Sequence, residues 1–193
     1  MNIAVAGSTG AVGAHVVQEA TLAGHDVVRI SRKEGVDART GEGLVNALEG
    51  VDVIIDTTNT ITTNKAKATA FFTDVTKMLQ SAGSAQGVSR LVTLSILGVD
   101  RVPRFGYYEA KLAYEAAAKA GPLPATIVRA AQFFEFPSQI LARGSFGPFA
   151  FVPRMRMQTV SARSVAQALV HEATTGGGGG NTLELAGPNV EDL

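Results

Sequence analysis

Met1-Asn2-Ile3-Ala4-Val5-Ala6-Gly7-Ser8-Thr9-Gly10-Ala11-Val12-Gly13 opens the chain. A short apolar run meets three glycines spaced three apart, and a helix-forming stretch follows at once. Glycine at these points lets the backbone turn sharply, approach a phosphate closely and pack a helix tightly on its strand. The helix that starts there turns unpaired N–H groups and the positive end of its dipole toward an anion. Strand, glycine turn and helix in this order read as a cradle for a dinucleotide. A P-loop is the rival, but no Gly-Lys-Ser/Thr follows, so no lysine reaches a terminal phosphate.

Outward from the cradle, β-branched runs alternate with helical patterns. Strands are predicted at Ile3–Ala6, Val27–Ile30, Val51–Asp56, Leu91–Ser95, Thr126–Arg129 and Thr182–Leu185. Helices are predicted at Ala11–Ala23, Gly43–Leu48, Lys65–Ala82, Tyr107–Ala120 and Ser164–Glu172. The alternation predicts an α/β, Rossmann-like, doubly wound and mostly parallel sheet with helices on both faces. The strands are nearly continuous in apolar residues, as sheets covered on both sides require. Gly24 falls where a left-handed helix cap is expected, and Gly121-Pro122-Leu123-Pro124 stops the helix before it. Five glycines, 176 to 180, read as a surface loop before the last strand. Residues 132 to 160, rich in Phe, Pro, Arg and Met, lack a period and are expected to form an irregular lobe near the strand ends. Residues 1–193 as a whole read as one nucleotide-binding domain carrying that lobe.

Composition narrows the partners. At 46% hydrophobic and 18% charged, the chain has the make-up of a globular protein with a substantial core. Seventeen basic residues balance 17 acidic ones without a basic block, which argues against nucleic acid or an anionic membrane. The absence of cysteine excludes disulfides, thiolate chemistry and cysteine-held metals. His15, His25 and His171 are scattered without ligand spacing, so no metal site is expected. No basic n-region precedes the first strand, and no apolar run nears the roughly 18 residues of a bilayer span. A cytoplasmic protein is the default expectation, and self-association into a homo-oligomer stays open.

The end of the second strand distinguishes the dinucleotides. An acid there holds the ribose hydroxyls of NAD, whereas a basic residue accommodates the extra phosphate of NADP. Val27–Ile30 runs into Ser31-Arg32-Lys33, with no acid at that point. Arg32 offers a planar donor fork to a 2′-phosphate and Lys33 a point charge, so NADP(H) is expected in preference to NAD. Solvated loop charges are the plainer alternative for both residues. Asp37-Ala38, at the end of a short third strand, is a candidate for the adenine side, with a loop aspartate as the alternative. Thr57 and Asn59 follow the next strand at its carboxyl end, where it faces the crevice.

Farther on, Tyr107-Tyr108-Glu109-Ala110-Lys111 opens a helix, and residues four apart share a face. An ammonium at Lys111 beside the Tyr107 phenol would lower its pKa from about 10 and make it a usable general acid. Tyr108, three residues from Lys111, is the neighbouring alternative. Ser95 ends a strand twelve residues upstream, where its hydroxyl could bind the substrate oxygen that Tyr107 protonates. A plain turn serine is the other reading.

Gly7-x-x-Gly10-x-x-Gly13, Ser95, Tyr107-x-x-x-Lys111 and Arg129-Ala130-Ala131-Gln132-Phe133-Phe134 occur in this order. With Glu184-Leu185-Ala186-Gly187-Pro188, they make the chain resemble the atypical short-chain dehydrogenase/reductases, especially the NmrA-like NAD(P)-binding branch. The resemblance implies Ser95, Tyr107 and Lys111 as the catalytic trio, with Lys111 also on the nicotinamide ribose. It implies cofactor contacts at Gly7, Thr9, Gly10, Val12, Gly13, Ser31, Arg32 and Lys33. Members of the branch usually continue past the Gly-Pro turn, whereas this chain stops at Leu193, so the part that closes the substrate pocket is expected to be missing or differently built.

The expected function is an NADP(H)-dependent oxidoreductase acting on a carbonyl or quinone. Its alternative is a non-catalytic NADP(H)-binding redox sensor, as in branch members that lack the tyrosine. A sugar-nucleotide epimerase or dehydratase uses a similar trio, but 193 residues leave little room for a second domain. Phe133, Phe134, Phe136, Phe146, Phe149 and Phe151, with Met155 and Met157, read either as a pocket for an apolar or aromatic small molecule or as core of the lobe. Arg143, Arg154 and Arg156 read as anion ligands or as a solvated face.

Overall fold

The computed structural model describes residues 1–62, 64–102, 104–134, 156–175 and 179–192, with backbone alone at 145–146 and 149–150. The opening run forms β1 (Asn2–Ala6), the glycines turn, and α1 spans Ala11–Leu22. The alternation continues through β2 (Asp26–Ile30), α2 (Leu44–Ala47), β3 (Val53–Asp56), α3 (Lys65–Ala85), β4 (Arg90–Ile96), α4 (Gly106–Ala120) and β5 (Ala125–Ala130). Two-residue strands follow, β6 (Ser145–Phe146), β7 (Phe149–Ala150) and β8 (Arg156–Met157). The chain then forms α5 (Ala162–Thr175), β9 (Thr182–Leu185) and β10 (Glu191–Asp192).

Six strands make one sheet in the order β2-β1-β3-β4-β5-β9, every neighbouring pair parallel. Helices cover both faces, so the fold is the doubly wound, Rossmann-like α/β architecture. Side chains alternate across a strand, so Ile3 and Val5 of β1 face one way and Ala4 and Ala6 the other. All four are fully buried. Ile3 and Val5 pack with Val12 and Val16 of α1 and with Val165 and Leu169 of α5. Ala4 and Ala6 pack with Leu44, Ile54, Val75 and Leu79, from α2, β3 and α3. Two cores back one sheet, which is why β1 from Ile3 onward and β3 are buried on both faces, while the edge strands β2 and β9 keep exposed polar residues.

The chain leaves β1 for β2 on one side and returns to β3 on the other. The carboxyl ends of β1 and β3 therefore part at a topological switch point, where open α/β sheets bind their ligands.

The expected third strand at Asp37-Ala38 does not form. Arg32–Glu34 make a 3-10 turn, and Gly35 leaves it at φ 74°. Asp37 Oδ1 then accepts the N–H groups of Arg39 (2.8 Å) and Thr40 (3.3 Å). An aspartate that satisfies its own loop in this way competes with strand pairing. Helix α3 runs three residues past its predicted end, through Gly83. A Cβ there would come 2.8 Å from Leu123 Cδ1 and 2.9 Å from Ile54 Cδ1, so this glycine serves close packing and does not break the helix. Helix α5 starts earlier than predicted, with Ser161 Oγ accepting from Ser164 N at 2.9 Å.

Of the expected lobe, Phe133 bridges to Val160 and is partly buried, Met157 is buried, and Phe134 and Arg156 are exposed. Phe136, Arg143, Phe151, Arg154 and Met155 lie outside the described residues, as do Gly176 to Gly178, and nothing of the Phe146 and Phe149 side chains is described. Among the described residues no helix is long and apolar enough to cross a membrane.

Candidate functional site

The cradle is assembled by close approach. Gly7 turns at φ 78°, and a Cβ on it would come 3.1 Å from Thr57 Oγ1 and from the Thr57 backbone. A Cβ on Gly13 would overlap the Gly7 carbonyl oxygen and come 2.7 Å from Thr57 Oγ1. Gly10 begins α1 without a side-chain cap, and the first helical bond runs from Ala14 N to Gly10 O. The N–H groups of Ala11, Val12 and Gly13 therefore precede the ladder and remain for an anion. These features fit the pyrophosphate of a dinucleotide. Thr9 and Gly10 are exposed at the rim, whereas the Val12 side chain is buried in the α1–α5 core, which leaves its N–H for a ligand. The Thr57 hydroxyl donates to Ala6 O at 2.8 Å, while Thr57 N donates to the same oxygen at 3.0 Å. Thr57 thus ties β3 to β1 beneath the cradle.

At the end of β2, Ser31 starts the 3-10 turn, and its hydroxyl is buried without a hydrogen-bond partner. Arg32 and Lys33 are exposed, and neither enters an ion pair among the described residues. A planar fork and an ammonium are therefore available beside an unsatisfied hydroxyl. Asp37 is committed to its loop as described.

Tyr107 and Asn59, 48 residues apart, meet: the Tyr107 hydroxyl donates to Asn59 Oδ1 at 2.5 Å. The phenol is half-buried, and burial raises its pKa above the ordinary value while the bond to Asn59 opposes the rise. Lys111 is not among the charges that act on it, so the expected lowering by the ammonium does not occur in this arrangement. Tyr108 turns away and packs edge-to-face on Phe105, ring centres 4.9 Å apart.

Ser95 and Lys111 lie below this surface, 3% and 5% exposed. The Ser95 hydroxyl donates to Glu115 Oε1 at 2.5 Å. Arg129 grips the same carboxylate with Nε to Oε1 (3.0 Å) and Nη2 to Oε2 (2.8 Å), and reaches Asp100 Oδ2 with Nη1 (2.8 Å). Arg129 in turn holds the Asp100 carboxyl below its usual range. The Lys111 ammonium donates to Leu94 O at 3.4 Å. The three members of the expected trio thus do not converge on one point: Tyr107 faces the crevice, and the other two face the interior.

Sequence reasoning missed Asp56, Tyr114 and Glu115, and it quoted Arg129 only as part of a family stretch. A signal was present for two of them. Glu115 is four residues from Lys111 on the same helical face. Asp56 ends a strand that is otherwise fully apolar from Val53. Among the described residues no cluster could hold a metal ion.

A family described as NAD(P)H-binding matches residues 7–175 of this chain. The photosystem II assembly factor Ycf39 of Cyanophora paradoxa is 29% identical over 174 residues, covering 83% of this chain and 51% of that protein. The chain thus spans about half the length of that curated relative. Among solved structures, MoeE5 in complex with UDP-glucose and NAD superposes with a TM-score of 0.82 at 19% identity, over 100% of this chain and 78% of that one. The triphenylmethane reductase of Citrobacter sp. complexed with NADP(H) gives a TM-score of 0.72 at 20% identity, over 100% and 72%. At such identities these structures share the fold.

Proposed function

The chain belongs to the NAD(P)H-binding family, and from that premise we propose that it is an NADP(H)-dependent reductase of a carbonyl or quinone with Tyr107 as its proton donor. The meeting of the Tyr107 hydroxyl with Asn59 at the carboxyl edge of the sheet carries this reading. A nicotinamide dinucleotide supplies a hydride when bound. Gly7, Gly10, Gly13 and the first turn of α1, Thr9 and Val12 included, hold its pyrophosphate. Ser31, Arg32 and Lys33 receive a 2′-phosphate. Tyr107, protonated at neutral pH like any phenol, delivers its proton to the substrate oxygen once that oxygen replaces Asn59 Oδ1 as the acceptor of its hydroxyl. Phe105 and Phe134, 51% and 56% exposed, offer apolar surface to a flat apolar or aromatic substrate.

The test follows NADPH absorbance with quinones and aldehydes. Tyr107→Phe is expected to lower kcat by about 10²- to 10⁴-fold with NADPH affinity unchanged. Equal turnover in both proteins would show a hydride route that needs no tyrosine. Ser95 and Lys111 face the interior, and this favours a second reading, an NADP(H)-binding regulator without turnover. Tight NADPH binding by the wild type with no turnover on any acceptor would establish it.

Arg32→Ala addresses the cofactor. Losing a charge-assisted contact of about 1.5–3 kcal/mol should weaken NADPH roughly 10- to 100-fold and leave NADH nearly untouched. Equal losses in fluorescence titrations would refute the 2′-phosphate assignment.

A further inference from the structure

The hydrogen bond between Tyr107 and Asn59 leaves one end of the Asn59 carboxamide unused. Oδ1 accepts twice, from the Tyr107 hydroxyl at 2.5 Å and from the Thr60 N–H at 2.9 Å. The Thr60 N–H can only donate, so it fixes which end of the carboxamide carries the oxygen. Nδ2, with two N–H donors, is the other end. Among the described residues it makes no hydrogen bond, and Asn59 is exposed.

The donors that sequence reasoning placed around the substrate oxygen are committed elsewhere. The Ser95 hydroxyl donates to Glu115 Oε1 at 2.5 Å, on a carboxylate whose two oxygens Arg129 also holds. A serine has one O–H, so nothing remains for a substrate. The Lys111 ammonium donates to Leu94 O and lies 4.2 Å from the ring centre of Phe72 and 4.5 Å from that of Tyr114. Tyr108 packs on Phe105, and the Thr57 hydroxyl is spent on Ala6 O.

We propose that Asn59 is a catalytic residue whose Nδ2 donates the second hydrogen bond to the substrate oxygen that Tyr107 protonates, the place Ser95 would otherwise fill. Oδ1 and Nδ2 share one planar carboxamide. An oxygen that takes over the Tyr107 hydrogen bond therefore lies within reach of Nδ2, while Oδ1 keeps the Thr60 N–H. As the substrate carbon gains hydride from the reduced dinucleotide, its π pair moves onto that oxygen and then takes up the Tyr107 proton. Negative charge develops on the oxygen along this path, and a donor held beside it stabilises the transition state more than the ground state. The inference rests on the reductase reading and names the second ligand of the reacting oxygen in that site.

The test measures kcat and NADPH affinity for wild type, Asn59→Ala, Asn59→Asp, Ser95→Ala and Tyr107→Phe, with quinones and aldehydes as acceptors. Asn59 is exposed, so its replacement leaves both cores intact. Asn59→Ala is expected to lower kcat by about 10²-fold, as loss of one oxyanion donor does, with NADPH affinity unchanged. Asn59→Asp keeps an acceptor for Tyr107 and Thr60 but has no N–H, so it should lose at least as much. Ser95→Ala should lose far less than either. Wild-type kcat in Asn59→Asp would show that Asn59 only orients the phenol, and would overturn the proposal. Weaker NADPH binding with unchanged kcat in Asn59→Ala overturns it too, by placing the carboxamide on the dinucleotide. A greater loss in Ser95→Ala than in Asn59→Ala returns the oxygen to Ser95. One readout is independent of turnover. In ¹⁵N-asparagine-labelled protein, the Asn59 side-chain N–H signals, assigned with Asn59→Asp, should exchange with water like those of an exposed amide. Slow exchange would reveal a protein partner for Nδ2 and sink the proposal. Turnover lost in Tyr107→Phe but kept in Asn59→Ala removes this proposal alone, whereas a wild type without turnover on any acceptor removes the reductase reading and the proposal with it.

Discussion

Gly13→Ala is expected to abolish dinucleotide binding and to cost about 3 kcal/mol of stability. Helix propensity alone argues the reverse, because alanine is about 1 kcal/mol better than glycine inside a helix. Sterics decide the sign. The added methyl would overlap the Gly7 carbonyl oxygen, which belongs to the cradle backbone, and would stand 2.7 Å from Thr57 Oγ1. Neither neighbour can yield without parting β1 from α1 or breaking the 2.8 Å bond from Thr57 to Ala6 O. Thermal melting should fall by about 5–10 °C, and NADPH affinity by more than about 100-fold. Gly24→Ala is the control. Gly24, unlike Gly13, has a positive φ, 80°, but a Cβ there meets nothing within 4 Å. It should cost only about 1 kcal/mol of backbone strain and leave binding intact. If Gly13→Ala bound NADPH with wild-type affinity, the cradle would not be where the ligand sits.

Arg129→Met should be comparably severe, through charge instead of shape. The Arg129 and Glu115 side chains are 12% and 6% exposed, and two parallel hydrogen bonds join them. Removing the arginine leaves a buried carboxylate with Ser95 and the neighbouring lysine as its remaining partners. Breaking a buried pair from one side costs about 3–5 kcal/mol. Glu115→Gln in the same chain should recover most of the loss, because it removes the stranded charge and keeps an acceptor for Ser95. Urea unfolding of the two single variants and the double one measures this coupling. The Asp100 arm of the network ends on a side chain 48% exposed, so Asp100→Ala should cost less than about 1 kcal/mol. A loss below about 1 kcal/mol in Arg129→Met would mean that the network is not what holds β5 to α4.

The parts of the fold legible beforehand were those with local causes. Apolar runs, a 3.6-residue period and glycine punctuation placed each strand of the main sheet to within two residues. Of the errors, one came from contacts across the fold and one from a side chain competing with the backbone of its own turn. Gly83 looked like a helix end until Ile54 and Leu123 were found to need its missing side chain. Asp37 looked like a strand end until its carboxylate turned to Arg39 and Thr40. At the candidate site, the four-residue spacing of Tyr107 and Lys111 correctly put them on one side of α4. It could not tell that Tyr107 would find Asn59 and Lys111 would be drawn inward beside Phe72 and Tyr114.

The glycine spacing from Gly7 to Gly13 and the basic end of β2 belong to the sequence by itself, because backbone freedom and charge are properties of the residues present. Ser95, Tyr107 and Lys111 were nameable from spacing as well. Which of them opens on the crevice was decided only by the tertiary structure. A hydroxyl or an ammonium goes to the strongest partner that burial leaves it, and Glu115, Arg129 and the Leu94 carbonyl are brought beside them only when β4, β5 and α4 come together.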